Sequence, residues 1–161
     1  MQIDTYYYKH PADVIEEGDI AYKVVEKKTR WCATWASYKN RFDTSTLKTI
    51  AKRIRKKYPE LFPRYFKHSI VLKAPNTPGI LVFKHEKNAV EFSKSHIFKV
   101  GHMRTIKVRC LCSGYPIKNL IDLSWRFPKY FVESYKFPNA DVCYSTPPDG
   151  TFGVDAIEVL E

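Results

Sequence analysis

Thr105-Ile106-Lys107-Val108-Arg109-Cys110-Leu111-Cys112 alternates in character with a period of two. Successive side chains of a β-strand point to opposite faces. The spacing therefore predicts a strand over 105–112. Ile106, Val108, Cys110 and Cys112 share one face, and Lys107, Arg109 and Leu111 the other. Working back from this strand, the segments 68–73 and 79–84 read as further strands, joined by a proline-bearing turn at 74–78. A short helix is expected over 86–95, burying Ala89, Val90 and Phe92, followed by a short strand at 96–100. Two runs rich in Val, Tyr, Trp and Ala, 20–26 and 31–37, flank the polar tetrapeptide Lys27-Lys28-Thr29-Arg30 and make a hairpin plausible, although it lacks a tight-turn glycine.

The strongest helical periodicity lies at 45–58. Leu47, Ile50, Ala51, Ile54 and Tyr58 recur at helical spacing. Asp43, Thr44 and Ser45 offer caps, and Pro59 stops the helix. Near the start, Pro11 and Gly18 carry the start and stop signals of a small helix. On the other side of 105–112, residues 114–138 are aromatic and basic, are broken by Pro116, Pro128 and Pro138, and receive no element. Residues 145–150 read as a loop and 156–160 as a closing strand. The expectation is one α+β domain spanning 1–161. It has a mostly antiparallel, twisted sheet, one long basic amphipathic helix and one or two short helices.

The rhythm of Gly79-Ile80-Leu81-Val82-Phe83, then Ala89 and Phe92, then 97–100 resembles a loose group of small uncharacterised phage and bacterial proteins. In that group a strand ending in Phe precedes a short helix with Ala and Phe inward, then another strand. The resemblance covers about residues 20–112. It implies an α+β architecture and a viral source, and it brings no catalytic residue with it.

Charge is the most informative bulk property. The chain has 161 residues, a net charge of +10, 44% hydrophobic and 15% aromatic residues. This size and composition suit a globular domain with a core of its own. Residues 1–19 carry net −4 and residues 137–161 net −5, which leaves +19 on residues 20–136. A segment this basic attracts polyanions unless the acidic ends fold back and neutralise it. No stretch has the roughly 18 apolar residues of a membrane span. The start, Met1-Gln2-Ile3-Asp4-Thr5, lacks the pattern of a secretion signal. The four cysteines then read as free thiols of a reducing cytoplasm, a host cytoplasm if the source is viral.

Three groups of residues are candidates for holding an anion. Lys48, Lys52, Arg55 and Lys56 share one face of the 45–58 helix, within a segment 45–73 that has nine basic residues and one acid, Glu60. Such a face follows a phosphate backbone, each contact releasing a counterion. Lys107 and Arg109, two apart on one strand face, line a shallow anion site or form the wet side of the sheet. In Trp125-Arg126-Phe127-Pro128-Lys129-Tyr130-Phe131, Trp125, Phe127 and Tyr130 are candidates to stack on bases and Arg126 to hold phosphate or stack. The alternative for that run is a buried aromatic core with exposed cations.

Catalytic and metal signatures are weak. Cys110-Leu111-Cys112 lacks the knuckle spacing of a zinc site and reads as small core residues. There is no G-x-S-x-G, no clustered glycine loop and no Cys/His signature. His85 and His102 form an acid/base pair only if the fold brings them together, and Asp43, Glu60, Glu86 and Glu91 have no motif spacing. No cofactor or metal is expected. The leading expectation is a non-enzymatic binding protein for a nucleic acid or nucleotide. Two alternatives stay open. One is a phage inhibitor that blocks an acidic host defence protein or, as a symmetric oligomer, sequesters its nucleotide signal. The other is a small metal-independent nuclease or ribosyl-transfer enzyme.

Overall fold

The computed structural model describes residues 6–34, 36, 49, 52–53, 55–121 and 144–161. In chain order the strands are β1 (Ile20–Glu26), β2 (Ile70–Leu72), β3 (Ile80–Phe83), β4 (Met103–Cys110), β5 (Gly114–Pro116), β6 (Leu120–Ile121), β7 (Tyr144–Ser145), β8 (Thr151–Val154) and β9 (Ala156–Val159). The helix with both ends described is α1 (Glu86–Ser93), and Pro59–Leu61 forms a 3-10 turn. Seven strands make one sheet in the order β2-β9-β4-β1-β3-β8-β5, and β6 pairs with β7 separately. Every pairing is antiparallel. The α+β, sheet-rich architecture is as expected.

Strand alternation sorts the core into two layers. From the β1–β4 register, which pairs Ala21 with Val108 and Lys23 with Ile106, the inward side chains of both strands fall on one face. On that face Ala21, Val25, Ile106, Val108, Cys110, Ile157 and Val159 pack with Phe62, Tyr65 and Cys32. On the opposite face Val24, Phe83 and Met103 pack against Ala89 of α1 and Phe98. The helix therefore forms where Ala89 and Phe92 meet Phe83, with the Phe83 and Phe92 rings 5.6 Å apart.

Several sequence expectations are corrected. Residues 6–19 form no helix, because Tyr6 and Ile15 are buried in the main core and tie the segment to the sheet. Ile15 and Gly114 exchange backbone hydrogen bonds of 2.8 Å, and Tyr7 bridges Ile117. The local signals of Pro11 and Gly18 lose to this long-range pairing. The run at 31–37 is not a strand: Trp31 and Cys32 make single bridges, and positions 33, 34 and 36 are helical. Arg30, with φ of 62°, turns the chain there. Residues 96–100 are turns, with Ile97 and Phe98 tucked against the second core layer. Strand β4 starts at Met103 and ends at Cys110, so Leu111 and Cys112 lie beyond it, both half-buried. Strands β5 and β8 had no counterpart in the sequence reading. In the segment expected as a long basic helix, positions 49, 52–53 and 55–57 have helical backbone, and the rest, Lys48 included, lies outside the described residues. So does the aromatic run with Trp125, Arg126, Phe127 and Tyr130.

Candidate anion-binding surface

The segment after the helical positions 55–57 runs alongside the chain that leaves β1. Pro59 begins the 3-10 turn, and Phe62 and Tyr65, 1% and 3% exposed, fasten it to the core. Cys32 N–H donates to the Pro63 carbonyl at 3.0 Å and Tyr65 N–H to the Arg30 carbonyl at 3.0 Å. Trp31 and Arg64 thus bridge as neighbours. Arg30 locks this junction: its Nε donates to the Tyr65 carbonyl at 2.5 Å and its NH2 to the Glu161 main-chain oxygen.

That packing builds a ladder of cations and rings. The Arg55 guanidinium lies 4.4 Å from the Trp31 ring centre. Arg64 lies 4.9 Å from Trp31 and 4.8 Å from Phe66. Arg64 Nε also donates to the Thr29 carbonyl at 2.8 Å, which fixes its plane. Burial, then the Arg64 charge, hold the Arg55 pKa below the ordinary arginine value. Around the ladder Lys52, Arg53, Lys56, Lys57 and Lys67 are exposed, and none of them makes an ion pair with a described residue. Of the sequence candidates, Lys52, Arg55 and Lys56 therefore belong to one surface. Trp31 and Phe66 were missed as members. Their signal was present as aromatic residues adjoining Arg30 and Lys67, but only the Trp31–Arg64 bridge unites them.

Lys107 and Arg109 are outward on β4, as alternation required, but they are not open cations. The β4–β9 register sets Arg109 opposite Glu158, and Arg109 NH1 meets Glu158 Oε1 at 2.9 Å. Lys107 faces Glu161 at 3.9 Å. Elsewhere Lys73 pairs with Asp155 at 3.3 Å and Lys84 with Asp13 at 2.5 Å. The hydrogen bond from Lys84 is the main reason the Asp13 carboxyl sits below the usual carboxylate range. Among the described residues, the acidic ends of the chain thus neutralise one part of the basic middle and make no ion pair with Lys52, Arg53, Lys56, Lys57 or Lys67.

Lys23 is a buried cation with no carboxylate partner among the described residues. Lys23 is 6% exposed, in phase with Ala21 and Val25 on the inner face of β1. Its Nζ donates to the Leu81 carbonyl at 2.7 Å and lies 4.7 Å from the Tyr65 ring centre. The β1–β3 ladder has a single register pair, Tyr22 with Phe83, so the lysine supplies a donor where backbone pairing stops. Burial pulls its pKa from 10.5 down to about 8. Burial also pushes the Tyr65 hydroxyl well above its ordinary value and the Cys110 thiol up to about 11. Cys110 is a core residue, as its alternation suggested. His85 and His102 are both exposed. Among the described residues, no group of three or more His, Cys, Asp or Glu is placed to hold a metal ion, and no helix is long and apolar enough to cross a membrane.

Compared with known proteins, the chain matches no family model, no curated protein and no solved structure.

Proposed function

We propose that the chain is a binding protein whose ladder surface, with Lys52, Arg55, Lys56, Arg64 and Lys67 at its centre, takes the phosphate backbone of a nucleic acid. The observation that carries this reading is the uneven neutralisation of charge. Four basic residues beside the sheet meet carboxylates, whereas Lys52, Arg53, Lys56, Lys57 and Lys67 meet none among the described residues. Like charges gathered without ion-pair partners among the described residues repel one another, so the cluster is relieved when an anion enters. The rings held among these cations suit a nucleic acid better than a simple polyanion, because bases present π-faces that sulfates and phosphates lack.

The test is a titration of the purified chain with fluorescently labelled nucleic acid over a range of salt concentrations. Affinity is expected to fall steeply, with a log–log slope of magnitude about 3–5 for that many neutralised phosphates. Absence of binding at low salt, or binding indifferent to salt, removes the proposal.

A further inference from the structure

We infer that this surface is built for single-stranded rather than duplex nucleic acid, with Phe66 as the platform for an unpaired base. The inference rests on the nucleic-acid reading and adds the class of ligand to it. Phe66 is 49% exposed, whereas its chain neighbour Tyr65 is 3% exposed. A lone exposed apolar residue is ordinary, but Phe66 is not alone. It is the outer rung of the series Arg55, Trp31, Arg64, Phe66, in which each cation lies within 5 Å of a ring centre. Arg55 and Trp31 are half-buried, whereas Arg64 and Phe66 are exposed, so Phe66 is the more open of the two rings in the series.

Its backbone is held on both sides. The preceding Tyr65 N–H bonds to Arg30, and the Phe66 carbonyl accepts from Ser69 N–H at 3.1 Å and Ser69 Oγ at 2.5 Å. Two residues on, His68 has φ of 66° and donates its N–H to the Val159 carbonyl at 2.7 Å. The ring is therefore presented from a fixed turn that the sheet anchors, and ordering it on binding costs little conformational entropy. Lys67 stands next to it, exposed and without an ion pair among the described residues. A base that stacks on Phe66 while its phosphates meet Lys67 and Arg64 extends the ladder by one rung. Bases inside a duplex are already stacked and paired, so they have no free face to offer a ring on the protein surface. Single strands do, and base–aromatic stacking is the usual source of their affinity for such platforms.

The experiment compares a labelled single strand of about 16 nucleotides, within the usual site-size range, with the blunt duplex of the same sequence, by fluorescence anisotropy at several salt concentrations. The single strand is expected to bind about 10-fold tighter than the duplex, which is the scale of one stacked base. Phe66→Ala is expected to remove most of that preference without changing the salt slope, and Phe66→Trp to keep it. Lys52→Ala with Lys56→Ala should lower the slope by about 2 for both ligands. Equal binding of strand and duplex overturns the inference and leaves the nucleic-acid reading standing. So does a Phe66→Ala variant with unchanged preference when the lysine variants weaken binding. Failure of both ligands to bind at low salt removes the reading itself, and the inference with it.

Discussion

The basic residues around β4 and β9 and those between Lys52 and Lys67 carry the same kind of charge in opposite circumstances. On β4, cross-strand register decides the matter: Arg109 and Glu158 are opposite one another, so an ion pair forms as soon as the strands pair. Lys73, beyond β2, meets Asp155 by the same route, since β9 lies between β2 and β4. The 52–67 surface lies on chain that pairs with 30–32 rather than with an acidic strand. Charge that is separated along the sequence is thus annulled where the sheet order interleaves it and kept where the order does not. If this contrast is functional, variants of the two regions must behave differently in the same assay.

The largest expected effect is charge reversal on the ladder side. Lys52→Glu with Lys56→Glu should weaken nucleic-acid binding on the order of 100-fold at low salt, because two phosphate contacts are lost and two repulsions are gained. Lys107→Glu with Arg109→Glu, the same change of net charge on the sheet, should weaken it only a few-fold through the long-range field. Equal losses in the two double variants would mean that net charge alone governs binding, and the distinction between the regions would disappear.

Next in size is a backbone test of the sheet that creates the contrast. In β8, a Cβ added at Gly153 would stand 2.2 Å from the Pro78 carbonyl oxygen and 2.7 Å from the Ile117 Cδ1. The Ile117 side chain can shift, but the closer approach is to the Pro78 main chain, which has no such freedom. Gly153→Ala is expected to cost roughly 2–3 kcal/mol, the upper part of the range for an overpacked core, as read from the shift of a urea midpoint. Because β8 pairs with β3 and β5, not with the 55–67 segment, residual folded protein should still bind with the wild-type salt slope.

Lys23 supplies a third circumstance for a cation, and its signature is a pH dependence. Its folded pKa of about 8 lies below the unfolded value of 10.5, so between those values the unfolded chain holds more protons. Stability therefore rises with pH across that window. Full deprotonation removes a penalty of order 3 kcal/mol, from about 1.4 kcal/mol per pKa unit. Cys110, raised from 9.0 to about 11, and Tyr65, raised above 10, act with the opposite sign: their unfolded forms ionise first, and stability falls as pH passes about 9. The rise attributable to Lys23 is thus cleanest between pH 8 and pH 9. Lys23→Met should flatten that rise and leave the fall at higher pH, as measured by urea unfolding at closely spaced pH values. A rise that persists in the variant would place its origin in another group.

How much of this was legible beforehand depended on whether the signal was local. Strands β1 and β4 and helix α1 show their period directly in 20–26, 105–112 and 86–95, and the structure has them at nearly those bounds. Strand β8 did not show itself, because Thr151-Phe152-Gly153-Val154 is buried throughout and leaves no alternation to read. The segment 6–19 misled because its helix signals are local, while its burial comes from a partner about a hundred residues away at 114–118. The cations of the 45–58 segment were visible as a charged face. Their separation from Lys107 and Arg109 was not, since it depends on β9 entering the sheet beside β4. Lys23 was legible in principle: once 20–26 is a strand, its place between Ala21 and Val25 makes it inward.

The smallest expected effect bears most directly on the comparison, because it converts one region into the other. Glu158→Gln with Glu161→Gln removes the acids that face Arg109 and Lys107 and adds no bulk. Both pairs are partly exposed, with side-chain exposures between 34% and 53%, so water already screens them. The loss of stability should stay below about 1 kcal/mol. Among the described residues, neither freed cation lies over an aromatic ring, unlike Arg55 and Arg64. They should therefore gain duplex and single-strand affinity alike, by only a few-fold, with a salt slope larger in magnitude by up to about 2. Such a gain would show that the acids mask a latent phosphate site on the sheet. No gain, with the ladder variants still impaired, would show that phosphate binding needs the ladder's ring-fixed guanidinium groups and not merely cations without partners.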